Sequence, residues 1–372
     1  MFSGIKNFFE VLPPAVGLDI SDSSIKYAQL ERKGRYFNLL AYGERDIPKG
    51  IVESGRIQDP KMLSEILEET LVKNKPSGLS SYVVASIPDE EIFLKVITLP
   101  NVPKKEIKNM ILVEAERNIP IPADNMQLDY EVINFHPERK HMDVLLAAAK
   151  KKEIATYIES IKGAGLHPLA LDPEVAAIAR STVKGQKTKR PIIILEIGAN
   201  RTRVIVYVKN VPIITGAVDF SAPDITKTMA SVLGISEAEA RDVEWSPKLL
   251  SDEKLGQRLT DALHPLYSDL VEAIKKYATF LEDREDGQDL DMHKVEKILI
   301  SGGGARIPGI ANSLSIELQI PTEIANPWVN VLPPALEEIP ELSRREAVRF
   351  SATLGLALYG LTTDIRKIYP DK

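Results

Sequence analysis

Two segments of this chain, 177 residues apart (196 − 19), follow the same pattern, and this repeat constrains the fold more than any other feature. The first runs from Leu18 to Lys26 (LDISDSSIK) and the second from Leu195 to Arg203 (LEIGANRTR). In each, an apolar strand ends in an acid, a turn of small polar residues follows, and a second strand begins. Small residues let backbone N–H groups approach phosphate oxygens, and an acid at a strand end can hold Mg²⁺ through water. The repeat therefore predicts two hairpins that face each other across a polyphosphate.

A third segment, Ile298 to Arg306 (ILISGGGAR), takes an apolar strand into three glycines and then into a predicted helix. Bare backbone at a helix start is where a bulky anionic ligand can lie. Taken singly, each hairpin is also typical of an ordinary polar turn, and the glycines are also typical of a plain strand-to-helix loop. Their order and spacing favour a nucleotide site. Both hairpins are predicted to continue into a third strand, at Tyr36 to Tyr42 and at Val211 to Ala217.

Composition excludes several classes of function. The 372 residues are 44% hydrophobic, which is enough for about two domains. The net charge of −6 gives no basic face for nucleic acid. The absence of cysteine excludes disulfides and thiolate metal sites and fits a cytosolic protein, and the five scattered histidines form no metal cluster. No apolar run reaches the roughly 18 to 20 residues of a membrane span.

The N-terminus places apolar residues on one face of a predicted helix, at Phe2, Ile5, Phe8, Phe9 and Leu12. We expect this face to pack on the protein's own first domain. Attachment to a membrane surface is the alternative, but the polar face carries a single lysine, which is poor for binding anionic lipid.

The stretch from about 81 to 167 does not fit the repeated pattern. It predicts strands and helices in the order strand, strand, helix, strand, strand, helix. The predicted elements are Tyr82–Ile87, Glu91–Leu99, Lys104–Asn118, Leu128–Asn134, Met142–Ala149 and Glu153–Lys162, the last closed by Gly163. The sequence thus predicts a compact module inserted between the two halves.

Hairpin, long insertion, second hairpin and late triple glycine resemble the actin-like ATPase superfamily, which also contains sugar kinases and Hsp70-type chaperones. The insertion resembles the subdomain called 1C in FtsA, the bacterial actin homologue, and in PilM, the type IV pilus assembly family. The detail favours PilM, and the similar segments run from the first strand to the last helix. They are Gly17–Lys26, Glu114–Pro120, Ala164–Glu174, Asp224–Thr226 and Phe350–Leu358.

The resemblance implies an α/β protein with the duplicated actin-like (ribonuclease H-like) fold and an inserted FtsA-type 1C subdomain. Domain 1 would comprise residues 1–185 and 334–372, as subdomain 1A with the 1C module at about 81–167. Domain 2 would comprise residues 186–333, as subdomains 2A and 2B. The last helix, Arg344 to Gly360, would return across the cleft. The polar segment 184–190 and the stiff Leu332-Pro333-Pro334 are suitable joints.

The resemblance also assigns a binding site for ATP and Mg²⁺. Asp19 and Glu196 would be the paired acids that hold the metal through water, while Lys26 would add positive charge. The glycines and Arg306 would line the adenosine end, and Glu239 would meet the ribose hydroxyls. The full set is Asp19, Ser21, Ser23, Ser24, Lys26, Glu196, Gly198, Ala199, Asn200, Thr202, Glu239, Gly302, Gly303, Gly304 and Arg306. No residue is assigned a catalytic role beyond the two acids.

Three departures from the family pattern predict that ATP hydrolysis is slow or absent. Ser21 stands where the family usually has glycine, and its Cβ would restrict a positive φ. Glu196 stands where it usually has aspartate, which would shift a metal-bound water by about one C–C bond. The usual Gly-Gly before Asp-Ile-Thr is Ser221-Ala222, followed by Pro223. Nucleotide binding is expected to survive these changes.

The implied function is a cytoplasmic ATP-binding scaffold of type IV pilus or related secretion machinery, peripheral to the inner membrane through its partner. In the PilM family, a groove between subdomains 1A and 1C receives the N-terminal peptide of the bitopic membrane protein PilN, an Asn-Leu-Leu-Pro-like stretch, and PilN joins PilO and PilP. The resemblance also allows pilus motor ATPases and self-association as contacts.

Two other classes of function stay open. One is a filament-forming actin homologue of the FtsA or MreB type. FtsA usually anchors itself by a C-terminal amphipathic helix, and no such pattern precedes Lys372. The other is a sugar or acetate kinase, which shares the fold core, although the inserted module and the absence of a polar substrate constellation argue against it. The sequence contains no Gly-x-Ser-x-Gly, His-Glu-x-x-His or Walker motif.

Overall fold

The computed structural model describes residues 14–136, 140–186, 188, 190–243, 253–282, 294–307 and 309–362. The predicted apolar face of residues 2–12 lies outside the described residues. In chain order the strands are β1 Val16–Ile20, β2 Ser24–Lys33, β3 Tyr36–Asp46, β4 Val52–Glu53, β5 Arg56–Ile57, β6 Tyr82–Ile87, β7 Ile92–Pro100, β8 Met126–His136, β9 His141–Lys150, β10 His167–Pro173, β11 Ile192–Ile197, β12 Thr202–Val208, β13 Val211–Val218, β14 Lys297–Ser301 and β15 Thr322–Ile324.

The α-helices are α1 Pro60–Glu68, α2 Lys104–Asn118, α3 Lys151–Gly163, α4 Glu174–Thr182, α5 Ala222–Leu233, α6 Glu237–Val243, α7 Glu253–Glu282, α8 Ile310–Leu318, α9 Arg344–Ala347 and α10 Ser351–Thr362. Within the described ranges, none of them has the length and apolarity needed to cross a membrane.

Two five-stranded sheets share one topology. The first sheet has the order β10-β6-β1-β2-β3 and the second has the order β13-β12-β11-β14-β15, which is the same arrangement read from the other edge. In each, an antiparallel three-strand meander is joined by two parallel strands. The meanders repeat because their three strands recur at nearly one spacing, with starts 176, 178 and 175 residues apart (192 − 16, 202 − 24 and 211 − 36). This duplication confirms the predicted fold class.

Helix α10 packs across the first sheet and against α4, and it is buried almost all round. A Cβ at Gly355 would collide with the backbone carbonyl of Ala177, and one at Gly17 would collide with that of Thr353. These two glycines let the helix lie directly on its neighbours. The predicted single helix Arg344 to Gly360 is divided into α9, a 3-10 turn over Val348–Phe350 and α10.

The inserted module is narrower than the sequence predicted. Its own sheet, β7-β9-β8, and helix α2 enclose a separate apolar core within residues 92–150. Strand β6 belongs to the first sheet, where it pairs in parallel with β1. Helix α3 packs on α1, and Tyr157 and Ile161 enter the core of the first sheet. Because β6 is buried on both faces, it can only be a central strand of a covered sheet.

The end of α3 also differs from the prediction. The helix runs through Gly163, and the residue with left-handed backbone is Gly165, at φ 77°. A Cβ at Gly163 would lie 2.7 Å from the Ser64 hydroxyl on α1. Gly163 is therefore required by helix packing, whereas Gly165 makes the turn into β10.

Candidate functional site

A cleft of about 560 Å³ lies between the two sheets, in the size range of small-molecule sites. Both hairpins and the glycine segment after β14 line it. Thirteen of the fifteen predicted site residues lie along its walls: Asp19, Ser21, Ser23, Ser24, Lys26, Glu196, Gly198, Ala199, Asn200, Gly302, Gly303, Gly304 and Arg306.

The first hairpin is held by its serines. The hydroxyl of Ser21 donates to the carbonyl of Ser24 at 2.9 Å and accepts from its backbone N–H at 3.2 Å. Ser21 is not among the described residues with positive φ. The predicted strain of a Cβ at this position therefore does not arise, because the hydroxyl closes the turn. Asp19 is buried, and its Oδ1 accepts from the hydroxyl of Ser86 on β6 at 2.9 Å.

Lys26 lines the cleft but is already paired. Its Nζ donates to the Ser24 hydroxyl at 3.0 Å and lies 3.5 Å from the carboxylate of Glu44. Glu44 lies directly across from Lys26 on β3, and it also binds Arg349 from the turn before α10. The expected phosphate-binding cation thus lies between a hydroxyl and a carboxylate on the wall of the cleft.

The second hairpin carries a cation that the sequence analysis missed. Arg203 lies across from Glu196 in the β11–β12 pairing, as Lys26 lies across from Asp19 in the β1–β2 pairing. Its Nη1 donates to Glu196 Oε2 at 2.8 Å and to Glu174 Oε1 at 3.0 Å. The signal was present, because Arg203 is the counterpart of Lys26 at the same 177-residue spacing (203 − 26).

Three further acids beside Arg203 were also missed, and two of them, Glu90 and Glu174, line the cleft. Glu174 begins α4, while Asp89 and Glu90 follow β6. Burial raises the pKa of Asp89 to about 7 against the opposing effect of Arg203, and the neighbouring carboxylates raise it further. Burial also raises the pKa of Glu174, again opposed by Arg203. Clusters of acids with perturbed pKa values in a cleft are typical of functional sites.

The two hairpins touch across the cleft. Asp22 Oδ2 accepts a hydrogen bond from the side-chain amide of Asn200 at 2.9 Å. The same carboxylate accepts from the backbone N–H groups of Ser54 and Gly55, at 3.0 and 2.9 Å. Asn200 therefore joins the second hairpin to the first, in addition to lining the cleft as predicted.

The three glycines have different roles. Gly302 has φ 83°, and a Cβ there would lie 2.5 Å from the carbonyl of Ile197. A Cβ at Gly304 would collide with the Ile197 side chain, whereas Gly303 has open space. The segment forms a 3-10 turn over Gly303–Arg306 instead of the predicted helix start, and α8 begins at Ile310. Gly303 is thus the position where a ligand can approach bare backbone.

Arg306 is positioned by an ion pair. Its Nη1 donates to both carboxylate oxygens of Glu346, at 2.8 and 2.9 Å. Glu346 lies on α9, so this pair ties the glycine segment to the returning helices.

Two predicted residues do not reach the cleft. The hydroxyl of Thr202 is buried and donates to the carbonyl of Phe220 at 2.7 Å. Glu239 instead caps α6, because its carboxylate accepts from the N–H and hydroxyl of Ser236, and these bonds lower its pKa. The signal was a Ser-x-x-Glu capping box. Glu237, two residues earlier, lines the cleft.

The two acids that could hold Mg²⁺, Asp19 on the first hairpin and Glu196 on the second, are not equally available. Asp19 and Glu196 both line the cleft, but one oxygen of Glu196 already binds Arg203. Within the described ranges, no group of three or more acidic or histidine side chains is arranged as a metal cluster. Mg²⁺ usually takes one or two protein carboxylates and completes its shell with phosphates and waters. The site therefore fits Mg²⁺ brought by a polyphosphate better than Mg²⁺ alone.

Comparison with known proteins gives matches along nearly the whole chain. The sequence pattern of the family described as type IV pilus assembly protein PilM matches residues 17–361. A solved PilM-PilN type IV pilus biogenesis complex is 25% identical, covers 94% of this chain and 99% of that chain, and superposes with a TM-score of 0.74.

Two more distant proteins also match, one by fold and one by sequence. MreB 5 of Spiroplasma citri bound to AMPPNP is 12% identical, covers 97% of this chain and 99% of its own, and has a TM-score of 0.51. The cell division protein FtsA of Borreliella burgdorferi is 22% identical over 197 residues. That match covers 49% of this chain and 46% of FtsA, so the chain spans about half the length of this relative.

Proposed function

The chain belongs to the family of the type IV pilus assembly protein PilM, and on that premise we propose that it is an ATP-binding scaffold whose module binds a membrane-protein peptide. The pilus-assembly role follows from the family. The choice of partner is supported by the similarity to the PilM-PilN complex, which covers 94% of this chain. We propose that the two sheets belong to two domains, 1–185 with 334–372 and 186–333, and that the protein acts at the cytoplasmic face of the inner membrane through this partner.

ATP with Mg²⁺ is the proposed ligand of the cleft. Gly303 offers open backbone, Ser23 is exposed toward the cleft, and Lys26 and Arg306 supply positive charge. Asp19 and the remaining oxygen of Glu196 would hold Mg²⁺ through water, and the metal would offset charge between the phosphates and these acids. With Glu239 engaged in capping α6, the nearby Glu237 is the better candidate for the ribose hydroxyls.

Thermal melts with and without Mg-ATP test nucleotide binding. A ligand at one hundred times its dissociation constant stabilises the folded form by about 2.7 kcal/mol. We expect a shift at millimolar Mg-ATP, with hydrolysis slow or absent. No shift, together with no nucleotide in the purified protein, would refute the proposal.

The proposed partner is a short, extended, apolar segment at the N-terminus of a PilN-like membrane protein, held between the first sheet and the module. The module carries exposed apolar side chains on two elements, Leu112 and Val113 on α2 and Tyr130 and Val132 on β8, between 37% and 49% exposed. A peptide that buries two leucines gains about 3 to 6 kcal/mol from apolar transfer before ordering costs. Micromolar affinity therefore also needs backbone hydrogen bonds.

Titration of a labelled Asn-Leu-Leu-Pro-like peptide tests the partner. The control peptide carries aspartate at both leucines, and we expect it not to bind. Val113→Asp should weaken binding of the native peptide, whereas Ile316→Asp, at a 70% exposed apolar position of the second half, should not. Equal binding of both peptides, or of neither, would refute the peptide proposal.

The second candidate function is a filament of the FtsA or MreB type. The match to FtsA over about half of each chain favours it. Sedimentation with and without Mg-ATP distinguishes the two proposals: a scaffold stays in the supernatant, whereas a filament pellets when nucleotide is added.

A further inference from the structure

Arg203 is held by carboxylates from both halves of the molecule. Its Nη1 donates to Glu174 at 3.0 Å and to Glu196 at 2.8 Å. Its Nε lies 3.7 Å from the Asp89 carboxylate, and its Nη2 lies 3.7 Å from the Glu90 carboxylate. Glu196 shares its hairpin with Arg203. The other three acids come from the loop after β6 and from the start of α4, both connected to the first sheet. The guanidinium therefore bridges the cleft.

The bridge is enclosed. The side chains of Arg203 and Asp89 are 17% exposed, and those of Glu174, Glu196 and Glu90 are 8%, 15% and 20% exposed. Burying several carboxylates together is costly unless a cation neutralises them. Among the residues that the structure describes, Arg201 pairs with Glu90 alone, at 3.4 Å, so Arg203 is the guanidinium that compensates the other three acids.

We propose that Arg203 is an internal cation that joins the two halves, so that the cleft stays closed without a bound metal ion. Proteins often hold facing carboxylates together with a divalent cation, which prefers oxygen ligands. Here a side chain supplies that positive charge, and it is always protonated. The inference deepens the proposed nucleotide cleft but does not require that nucleotide binds.

The test compares three variants without nucleotide, in EDTA and in Mg²⁺ alone, by small-angle scattering and thermal melting. Arg203→Gln removes the charge, Arg203→Lys keeps it, and Arg201→Gln makes the same charge change at the neighbouring arginine. We expect the wild type to have the same radius of gyration and Tm in both buffers. Arg203→Gln should expand and melt earlier in both buffers, because no three of the described acids are placed to hold Mg²⁺ in place of the guanidinium.

The other variants distinguish charge from shape. Arg203→Lys should stay closed in EDTA, and Arg201→Gln should remain close to the wild type. Arg203→Gln with the wild-type radius of gyration in EDTA would overturn the proposal. An Arg203→Lys variant that opens as far as Arg203→Gln would also overturn it, because the proposal assigns the closure to the positive charge.

A second variant covers the case in which Arg203→Gln does not fold. The double change Arg203→Gln with Glu174→Gln removes the acid in closest contact from the other half, so we expect it to fold and to be open in EDTA. A closed double variant would overturn the proposal. If the single variant opens as expected while Mg-ATP fails to stabilise the wild type, the bridge stands and the nucleotide proposal fails.

Discussion

The two hairpins of the cleft have the same strand register, but their basic residues bind different partners. In each, an acid at the end of the first strand lies across from a basic residue on the second, Asp19 from Lys26 and Glu196 from Arg203. Lys26 turns to the Ser24 hydroxyl and to Glu44, but Arg203 binds Glu196 directly and extends to the other half.

The difference originates on the third strand of each meander. Glu44 lies across from Lys26 on β3, whereas Ala217 lies across from Arg203 on β13. Cross-strand neighbours of opposite charge attract each other, so Lys26 is held within its own sheet. Arg203 has no acid opposite it on β13, and it reaches Glu174, Asp89 and Glu90 across the cleft in addition to Glu196 on β11. The two hairpins thus differ in the residue that the third strand places opposite the cation, Glu44 in the first and Ala217 in the second.

The largest expected effect is the difference in stability between variants that lack Arg203 and variants that lack Lys26. Arg203→Ala leaves buried carboxylates without their counter-ion, which typically costs about 3 to 5 kcal/mol in free energy of unfolding. The Lys26 side chain is as little exposed as that of Arg203, but its partner Glu44 also pairs with Arg349, so Lys26→Ala leaves that acid with a counter-ion and should cost less, about 1 kcal/mol. Urea unfolding without nucleotide measures both. Equal costs would show that the two hairpins are energetically alike.

The next effect concerns pH and Asp89. Its pKa of about 7 in the folded chain lies above the unfolded value, so folding favours its protonated form. This carboxyl therefore contributes its full stabilisation below its unfolded pKa of 3.8, and the contribution is lost as pH rises through about 7. Asp89→Asn lacks this loss, so its free energy of unfolding relative to the wild type should rise by about 2.7 kcal/mol between pH 5 and pH 8. Asp143→Asn, on the module, is the control. A constant difference would mean that Arg203 keeps Asp89 ionised.

A third effect compares the two acids. Asp19→Ala with Glu196→Ala should abolish the Mg-ATP shift, which is about 2.7 kcal/mol at one hundred times the dissociation constant. Of the single variants, Asp19→Ala should lose more of the Mg²⁺ dependence, because Glu196 shares its carboxylate with Arg203. Glu65→Ala, an exposed acid on α1, is the control. A double variant that keeps the shift would exclude these acids as the metal site.

The smallest effect is expected from a substitution that gives the second hairpin the cross-strand acid of the first. Ala217 is exposed, so Ala217→Glu can place beside Arg203 the cross-strand carboxylate that Lys26 already has. We expect competition worth about 0.2 to 1 kcal/mol. It should appear as a reduced coupling energy between Arg203 and Glu174 in a double-mutant cycle, with Ala217→Gln as the uncharged control. An unchanged coupling energy would show that β13 does not influence Arg203.

Local sequence predicted the elements well wherever apolar periodicity and proline agreed. Strand β6 and helix α2 have the predicted bounds, Tyr82–Ile87 and Lys104–Asn118. Pro103 precedes the helix, and Pro120 forces Ile119 into an extended conformation. The prediction that Gly163 closes its helix was wrong, because a glycine near a helix end can allow close packing as well as end the helix. The prediction for Glu239 also failed, because a capping box accounts for the carboxylate.

The sequence by itself determined the duplicated fold and the residues of both hairpins, because a repeated strand-turn-strand pattern specifies its own register. The contacts between the halves were decided only by the tertiary structure. Glu174 and Asp89 reach Arg203 from positions 29 (203 − 174) and 114 (203 − 89) residues away in the chain. Local patterns carry no information on such distances, whereas the energy of a buried ion pair depends on them steeply.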